Sequence, residues 1–284
     1  MVRSPHCFVH MDLSIIIVSF NVKELLQACL KSLEQEVEKT KSLKIEVIVI
    51  DNASGDGSVE YLQDRVAPSQ NQGLKIKAFF NQENLGFARA VNQGIKIAKG
   101  EYLLLLNPDV VVKPGALLAM VNFAQTYPLA GVVGGRLLDP NGRLQGSCYR
   151  LPGIKLAIKE WWLGKRGLTA KYAPRGDKPV EVEVVTGAAM LIPKKVIEKI
   201  GLLDERYFMY FEDLDFCRRV KKAGFKVYYL PWAEIIHHHG ASGKKIPKRT
   251  QQWLIESSKI YHGLLKHYLI NFIIWSNQKW RKLF

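Results

Sequence analysis

The sequence predicts an α/β fold with a mostly parallel central sheet. Along residues 12–125, apolar runs of strand length alternate with stretches whose apolar residues recur at helical spacing. Two of the apolar runs end in a carboxylate, at Asp51 and at Asp109. Ligands of parallel α/β sheets bind outside the carboxyl ends of the strands, so the sequence predicts a ligand site at that edge.

Four strands are predicted in this first half of the chain. Each is rich in Ile, Val, Leu or Phe and is followed by turn-forming residues. They cover residues 13–20, 44–51, 75–81 and 101–109.

The helices between these strands have recognisable ends. Asn21 and Glu24 have the spacing of a capping box, which predicts that Asn21 caps the first helix. A short helix is predicted over 58–66. The next helix is expected to end at Gly100, and another to open at Pro114.

The second half of the chain is less regular. Residues 153–179 are basic and show little periodicity, so no regular element is predicted there. The expected elements are a strand and hairpin arm over 132–144, a strand over 182–192, helices over 193–200 and 212–223, and a strand over 226–231.

The chain is strongly basic, with a formal net charge of +15 over 284 residues. The excess of Lys and Arg is concentrated in residues 155–178 and 243–284. This charge indicates an anionic partner: nucleotide phosphates, nucleic acid or an acidic membrane surface. We expect no nucleic acid, because the basic residues lie outside any recognisable reading motif. Four scattered cysteines and the shortness of the apolar runs indicate a cytoplasmic protein with reduced thiols.

Asp51 opens a segment that combines a strand-end carboxylate with Asn, Ser and Gly. The carboxylate can accept a hydrogen bond from the ring N–H of a pyrimidine base. The same residue types also favour a helix-capping turn, and both interpretations stay open.

Asn107 and Asp109 lie at the exit of the fourth predicted strand. A hard cation such as Mg²⁺ or Mn²⁺ takes oxygen ligands, and it needs few carboxylates when substrate phosphates complete its shell. The structural alternative is a simple Asn-Pro turn.

Glu212 and Asp213 open a predicted helix directly after an aromatic run. The helix dipole favours ionised carboxylates at this position, so one of them can act as a general base. Acid enrichment in a first turn is also common without any function. Asp215 can instead pair with Arg218 or Arg219 on the same helix.

Three consecutive histidines, 237–239, follow the last predicted strand. Histidine is a common ligand of divalent metals, whereas the lack of an accompanying cysteine pair argues against structural zinc. At most one or two of these imidazoles can bind one ion.

Together these pieces resemble family 2 glycosyltransferases of the GT-A fold, and within them the rhamnosyltransferase-like branch. The matching pieces run in the family's order over residues 13–243, which makes the resemblance specific. They are 17–21, 49–58, 84–95, 104–110, 134–142, 186–192, 201–219 and 237–242.

The resemblance implies a role for each candidate residue. Asp51 would contact the nucleotide base. Asp213 matches the catalytic base, with Glu212 beside it shaping the acceptor pocket. The nucleotide-sugar pocket would be lined by Ser19, Asn21, Asn52, Asn84, Asn107, Gly187 and Ala188.

The implied metal site departs from the family pattern. Asp109 would hold a Mg²⁺ or Mn²⁺ ion together with His237, or with His239 as the alternate. The family's first acidic position is Asn107 here, so a single carboxylate would hold the cation.

The resemblance implies a metal-dependent, inverting transfer of a sugar, first of all rhamnose. The donor would be a nucleotide-diphosphate sugar and the acceptor a hydroxyl of a cell-surface glycan or of a lipid-linked acceptor. Because of Asn107, a catalytically silent sugar-nucleotide or glycan-binding module is an alternative. A sugar nucleotidyltransferase is disfavoured, because no Gly-rich phosphate loop follows the first strand.

The expected organisation is one GT-A domain over 12–243. Residues 12–125 would be its nucleotide-binding half and 126–243 its acceptor-binding half. Residues 1–11 are expected to be a disordered lead, with translation starting at Met1 or at Met11.

Residues 244–284 are expected to form a basic amphipathic helical tail. Such a composition suits peripheral contact with an anionic membrane on its cytoplasmic face. The alternative is a helix of the protein core, or of a homodimer interface, with basic edges.

Overall fold

The computed structural model describes residues 11–67, 74–238 and 247–283. Residues 1–10 of the predicted lead lie outside this described part of the chain. The last residue of the lead, Met11, is the first residue of the first strand, so the predicted lead is one residue too long. The strands are β1 (Met11–Ser19), β2 (Ile45–Asp51), β3 (Lys75–Phe80), β4 (Gly100–Leu106), β5 (Val110–Val112), β6 (Ala130–Leu138), β7 (Cys148–Tyr149), β8 (Val180–Val182), β9 (Val184–Val185), β10 (Ala189–Pro193) and β11 (Lys226–His237).

Helices cover both faces of the sheet and form the C-terminal end. They are α1 (Lys23–Lys39), α2 (Ser58–Val66), α3 (Phe87–Ile97), α4 (Ala116–Thr126), α5 (Ile154–Trp161), α6 (Lys194–Ile200), α7 (Glu212–Lys222), α8 (Pro247–His262) and α9 (Leu264–Leu283). Among the described residues, no helix is both long enough and apolar enough to cross a membrane.

The central sheet has the order β3-β2-β1-β4-β10-β6-β11-β5, with β8 also paired to β11. Strands β3, β2, β1 and β4 are parallel to one another, and β6 is parallel to β11. Strand β10 runs antiparallel to both β4 and β6. The fold is therefore the predicted α/β class with a mostly parallel central sheet, and the reversed β10 joins its two parts.

The sheet is buried on both faces, which explains its unbroken apolar strands. Along β1, Leu13, Ile15 and Ile17 belong to one core with α1, α2 and α4, whereas Ile16 and Val18 belong to the other with α3, α6 and α7. Successive residues of a strand point to opposite faces, so a strand covered on both sides is apolar at every position.

The predicted cap of the first helix is wrong. Asn21 has φ 54°, and the residue at the N-cap position of α1 is Val22. The Asn21 side-chain Oδ1 accepts a hydrogen bond from Gly55 N–H at 2.8 Å, and Asn21 N–H donates to Ser54 Oγ at 2.9 Å. Asn21 therefore joins the loops after β1 and β2, a long-range role that its local spacing could not reveal.

Two other predicted helix ends also differ. Helix α3 ends at Ile97, and Gly100 is the first residue of β4, where a Cβ would lie 2.5 Å from Ser14 N. Helix α4 begins at Ala116 rather than Pro114, because Gly115 adopts φ +84° and donates its N–H to the Glu36 carboxylate at 2.9 Å.

Two predictions for the second half need correction. Residues 153–179 contain a regular element, helix α5, whose eight residues are too few to show a clear period in the sequence. The single strand expected over 182–192 is interrupted between β9 and β10. The interruption arises because Thr186 N–H donates to Ser147 O at 2.8 Å, which draws this segment away from the central sheet.

Candidate active site

A cavity of about 420 Å³ lies at the carboxyl-end edge of the sheet. Residues at or next to the ends of β1, β4 and β11 and the starts of β10 and α7 line it. Because β10 is antiparallel to β4, the residues just before it reach this same edge. The predicted site residues that line the cavity are Asn52, Asn84, Asn107, Asp109, Gly187, Ala188, Glu212, Asp213 and His237.

Ser19, Asn21 and Asp51 do not line the cavity. Ser19 and Asp51 are register partners at the ends of β1 and β2, and both are fully buried. Asp51 Oδ1 accepts a hydrogen bond from Ser54 N–H at 2.8 Å, whereas Asp51 Oδ2 and Ser19 Oγ have no hydrogen-bond partner among the described residues. Leaving buried polar atoms unsatisfied costs stability, so these two atoms fit a polar ligand. Burial raises the pKa of Asp51.

Asn52 holds the neighbouring loop in place. Its Nδ2 donates to Asn84 Oδ1 at 2.9 Å and to Gly86 O at 3.2 Å. Its Oδ1 accepts from Asn81 Nδ2 at 2.9 Å and from Leu85 N–H at 3.2 Å. The amide of Asn52 is therefore already used by the fold, and Asn52 shapes the cavity wall by positioning the loop.

Gly86 brings this loop against the far wall of the cavity. It has φ +85°, and a Cβ there would lie 2.6 Å from the backbone oxygen of Phe208. The next residue, Phe87, donates its N–H to the same Phe208 oxygen at 2.7 Å. Only glycine permits this approach, which joins the β2 side of the cavity to the aromatic segment before α7.

Asp109 and His237 form the centre of the site, and both side chains are almost fully buried. His237 Nε2 lies 3.4 Å from Asp109 Oδ1. His238 N–H donates to Asp109 O at 2.8 Å, which ties the end of β11 to the turn after β4. Asn107 lines the cavity beside them, and its N–H donates to Ala188 O at 3.0 Å.

This donor set suits a divalent cation. Asp109 Oδ1 and His237 Nε2 lie 3.4 Å apart, so these two side chains could hold one such ion together. Within residues 11–67, 74–238 and 247–283, no group of three or more His, Cys, Asp or Glu side chains is clustered for a metal. Phosphate oxygens of a substrate, or water, would complete the shell of a cation held at Asp109. His239 lies outside the described residues, and its alternate role stays a prediction.

The segment before α7 has an unusual backbone. Tyr210 and Phe211 both have positive φ, 70° and 68°, a conformation that costs roughly 1–3 kcal/mol per non-glycine residue. Helix α8 braces the segment from outside. Phe211 packs on Tyr261 at 5.3 Å between ring centroids, and Ser257 Oγ donates to Met209 O at 2.8 Å. The turn directs the first residues of α7 into the cavity.

Asp213 is held by two backbone donors. Its Oδ1 accepts from Leu214 N–H at 2.8 Å and its Oδ2 from Gly187 N–H at 3.3 Å. Glu212 is buried, and its Oε2 has no hydrogen-bond partner among the described residues. Both carboxyl groups line the cavity. One can therefore contact an acceptor, while the charge state of the other affects the first.

Burial opposes the preference for ionised carboxyls that the helix start is expected to give. Burial raises the pKa of Asp213, and it also raises the pKa of Glu212, with the charge of Asp213 adding to the effect. Hydrogen bonds from Leu214 and Gly187 and the charge of Lys171 only partly oppose the rise at Asp213. Two adjacent buried carboxyls resist being ionised together, which suits proton transfer.

Asp215 has the structural role that its spacing predicted. Arg218 Nη2 donates to Asp215 Oδ1 at 2.6 Å, and Arg219 Nε donates to Asp215 Oδ2 at 2.8 Å. Among the three acids of this turn, Glu212 and Asp213 are therefore the ones that face the cavity.

Several lining residues were not predicted from the sequence. Tyr149, Arg150 and Lys171 come from the irregular middle of the chain, and Trp253 and Leu254 come from α8. The only available signal was the repeated pairing of an aromatic with a basic residue at 149–150 and 171–172. The described part of the C-terminal extension is thus part of the cavity wall.

Known proteins are similar to this chain in sequence and in fold. The family model described as glycosyl transferase family 2 matches residues 14–201. The chain is 29% identical over 253 residues to an N-acetylglucosaminyl-diphospho-decaprenol L-rhamnosyltransferase of Mycobacterium tuberculosis (strain CDC 1551 / Oshkosh), which covers 83% of this chain and 78% of that protein. It is 25% identical over 249 residues to the rhamnosyltransferase WbbL of Escherichia coli (strain K12), which covers 87% and 91%.

Among solved structures, GalNAc-T7 with UDP, GalNAc and Mn²⁺ has a TM-score of 0.61 at 17% identity. The match covers 81% of this chain but only 44% of that one, and it shows that the two share the GT-A fold. The residues that the family model matches span most of the sheet, with Asp51 at the end of β2, and part of the cavity wall, with Asp109 and Gly187. On these grounds the chain belongs to glycosyl transferase family 2.

Proposed function

We propose that the cavity transfers a sugar, with inversion, from a nucleotide-diphosphate sugar to a hydroxyl of a glycan or lipid-linked acceptor. One observation carries this proposal: a single cavity joins the Asp109–His237 pair to the Glu212–Asp213 pair. The first pair suits a cation and a diphosphate, and the second suits the removal of a proton. Both relatives described above are named rhamnosyltransferases, which supports rhamnose as the first donor sugar to test.

The base of the donor nucleotide would lie at the ends of β1 and β2. There Asp51 Oδ2 and Ser19 Oγ are buried without a hydrogen-bond partner among the described residues. The ring N–H of a pyrimidine can donate to the Asp51 carboxylate, which would offset the cost of leaving that oxygen unsatisfied.

Asp109 and His237 would hold a Mg²⁺ or Mn²⁺ ion, with Asn107 beside them. When bound, such an ion offsets the negative charge that builds up on a departing diphosphate. The Mn²⁺ in the GalNAc-T7 structure supports a divalent ion for this fold. Because Asn107 supplies an amide where a carboxylate would bind more strongly, we expect modest affinity for the ion without nucleotide.

Asp213 would act as the general base. The acceptor oxygen forms its bond to the anomeric carbon, its proton passes to Asp213, and the bond from that carbon to the diphosphate oxygen breaks. The leaving nucleotide diphosphate keeps the electron pair. Gly187 and Leu214 fix the carboxylate by their N–H groups, so its position does not depend on the acceptor.

One observation favours a second function, a catalytically silent sugar-nucleotide or glycan-binding module. Because residue 107 is an asparagine, this turn contributes one carboxylate, Asp109, to the cavity wall. A silent module would bind a nucleotide-sugar without turning it over.

The test is a panel of nucleotide-sugars with the full chain, in Mn²⁺, Mg²⁺ or EDTA. Thermal shift reports binding and nucleotide release reports turnover. We expect one donor, first dTDP-rhamnose, to stabilise the fold and to turn over only with metal. Stabilisation without turnover, even with a range of glycan acceptors, would favour the silent module. No response to any donor would contradict both functions.

A further inference from the structure

The outer side of α9 carries a row of exposed apolar side chains. Its members recur three or four residues apart, so they lie along one side of the helix. They are, with their exposed fractions, Leu265 83%, Tyr268 58%, Leu269 42%, Phe272 59% and Trp275 54%. We call these five residues the α9 apolar row.

The opposite side of α9 packs on the protein. His267, Ile273 and Asn277 are buried there, and His267 Nδ1 lies 2.9 Å from Ser258 Oγ of α8. Trp162 at the end of α5 donates its Nε1–H to Ile273 O at 3.2 Å. The helix is therefore held in place by its inner side, and the α9 apolar row faces outward.

The surroundings of the row are basic. Helix α9 contains four Lys or Arg and no Asp or Glu. Lys266 and Lys279 are exposed on it, and Lys155 and Lys159 are exposed on the neighbouring α5. Glu160, the acid of α5, accepts hydrogen bonds from Gly167 and Thr169, which hold its carboxylate against the loop after the helix.

We infer that the α9 apolar row is a docking surface for an anionic lipid bilayer. A helix with Trp, Tyr, Phe and Leu on one side and Lys or Arg beside them lies in the headgroup region, where apolar burial and charge attraction add together. A second copy of the chain fits less well, because two such surfaces would bring like charges together without an acid on either α9.

The row is connected to the cavity through α8. Leu254 of α8 lines the cavity and is 47% exposed, and Trp253 packs on Phe208 at 4.7 Å between ring centroids. A lipid-linked acceptor held in the bilayer would then approach the cavity from the side of α8. This last step rests on the proposed function, whereas the docking itself does not.

Flotation of the full chain on lipid vesicles tests the docking. We expect the protein to float with vesicles that contain phosphatidylglycerol and to stay behind with phosphatidylcholine alone, with binding weakened by added salt. Leu265→Glu with Phe272→Glu should abolish flotation. The matched control, Leu129→Glu with Trp232→Glu, changes two exposed side chains elsewhere, 56% and 50%, and should float like the parent.

The basic residues of α5 provide a second test of the docking. Lys155→Gln with Lys159→Gln should lower the vesicle partition coefficient about fivefold for each charge removed. Equal partition of this variant and the parent would contradict the electrostatic part of the inference.

Two results would overturn the docking surface. One is a parent protein that fails to float on anionic vesicles. The other is a dimer, seen by light scattering, that the Leu265→Glu with Phe272→Glu change dissociates without any effect on vesicle binding. Thermal melting of each variant must match the parent, which excludes misfolding as the cause.

Sugar transfer to a soluble acceptor separates this inference from the proposed function. If docking is right, the α9 double variant keeps that transfer and loses transfer to an acceptor embedded in vesicles. A parent protein that floats but never transfers sugar would contradict the proposed function alone.

Discussion

The side-chain amide of Gln145 contacts His237 through both its oxygen and its nitrogen. Gln145 Oε1 lies 2.6 Å from His237 Nδ1, and Gln145 Nε2 donates to the His237 backbone oxygen at 3.5 Å. Because the NH₂ faces a carbonyl, the amide oxygen must face the ring, which assigns the hydrogen to Nδ1. The other ring nitrogen, Nε2, is then the one available to a cation beside Asp109.

Replacing Gln145 should therefore weaken metal binding without touching a ligand. We expect Gln145→Leu to lower Mn²⁺ affinity about 10- to 100-fold, the usual effect of losing the partner that orients a metal-bound histidine. Gln145→Glu keeps an acceptor at Nδ1 and should retain most of the affinity. Mn²⁺ titration followed by electron paramagnetic resonance measures both. Equal affinity in the leucine variant and the parent would remove Gln145 from the site.

Asp213→Asn should stop transfer while the donor still binds. Without a carboxylate to take the acceptor proton, we expect kcat to fall about 10²- to 10⁴-fold. The donor Kd, measured by calorimetry, should stay close to the parent value. Asp204→Asn, at a surface ion pair with Arg206, is the matched control and should retain both. Joint loss of binding and turnover would contradict the role of Asp213.

Glu212→Gln should leave the acidic limb of the pH profile of transfer in place. Burial raises the pKa of Asp213, so the rise of kcat with pH should lie above the ordinary range of a carboxyl group. Burial and the charge of Asp213 raise the pKa of Glu212 to about 8, so Glu212 is still protonated when Asp213 loses its proton. Gln is a neutral replacement for that protonated side chain, so the variant should keep the acidic limb and lose any change of kcat that the parent shows near pH 8. A shifted acidic limb would show that Glu212 is already charged when Asp213 titrates.

The same variant should alter stability with a defined sign. The pKa of Glu212 is higher in the folded chain than in the unfolded one, so its stabilising contribution is present at low pH and is lost as pH rises through the folded pKa. Glu212→Gln escapes this loss. Its Tm should exceed that of the parent above about pH 8, and the difference should vanish near pH 4. Parallel Tm curves across this range would contradict the burial of an unsatisfied Glu212.

Asp51→Asn should weaken binding of pyrimidine nucleotides. Asn can still accept the Ser54 N–H, but its NH₂ then replaces Oδ2 and faces the ring N–H of the base. We expect a loss of about 10- to 100-fold in UDP or dTDP affinity, typical of two opposed donors in a buried site. Asp64→Asn, an exposed change on α2, is the control. Calorimetry with each nucleotide measures the change, and unaltered affinity would place the base elsewhere.

Local signals explain what could be predicted. The bounds of α2 and the start of α7 follow from their own residues, and the strand-end positions of Asp51 and Asp109 follow from apolar runs that stop beside them. Such features depend on a few neighbouring residues, so a sequence carries them directly.

Long-range packing explains what could not. Asn21 resembles a cap by spacing, yet its side chain bonds to Gly55 across the sheet edge. Gln145 looks like an ordinary loop residue and reaches His237 through the fold. The raised pKa of Asp213 comes from burial that no short window reveals. These two contacts and this pKa depend on residues that are distant in the sequence, so local propensity does not predict them.

The placement of α8 has a consequence for how the enzyme is made. Trp253 and Leu254 close the cavity, and Ser257 and Tyr261 brace the turn that presents Glu212 and Asp213. Domains form from the N-terminal end as a chain leaves the ribosome. Most of the cavity wall is therefore translated before α8, but the cavity is complete only after α8 has emerged. A nascent chain thus lacks a complete cavity for a sugar donor until residues 247–262 have left the ribosome.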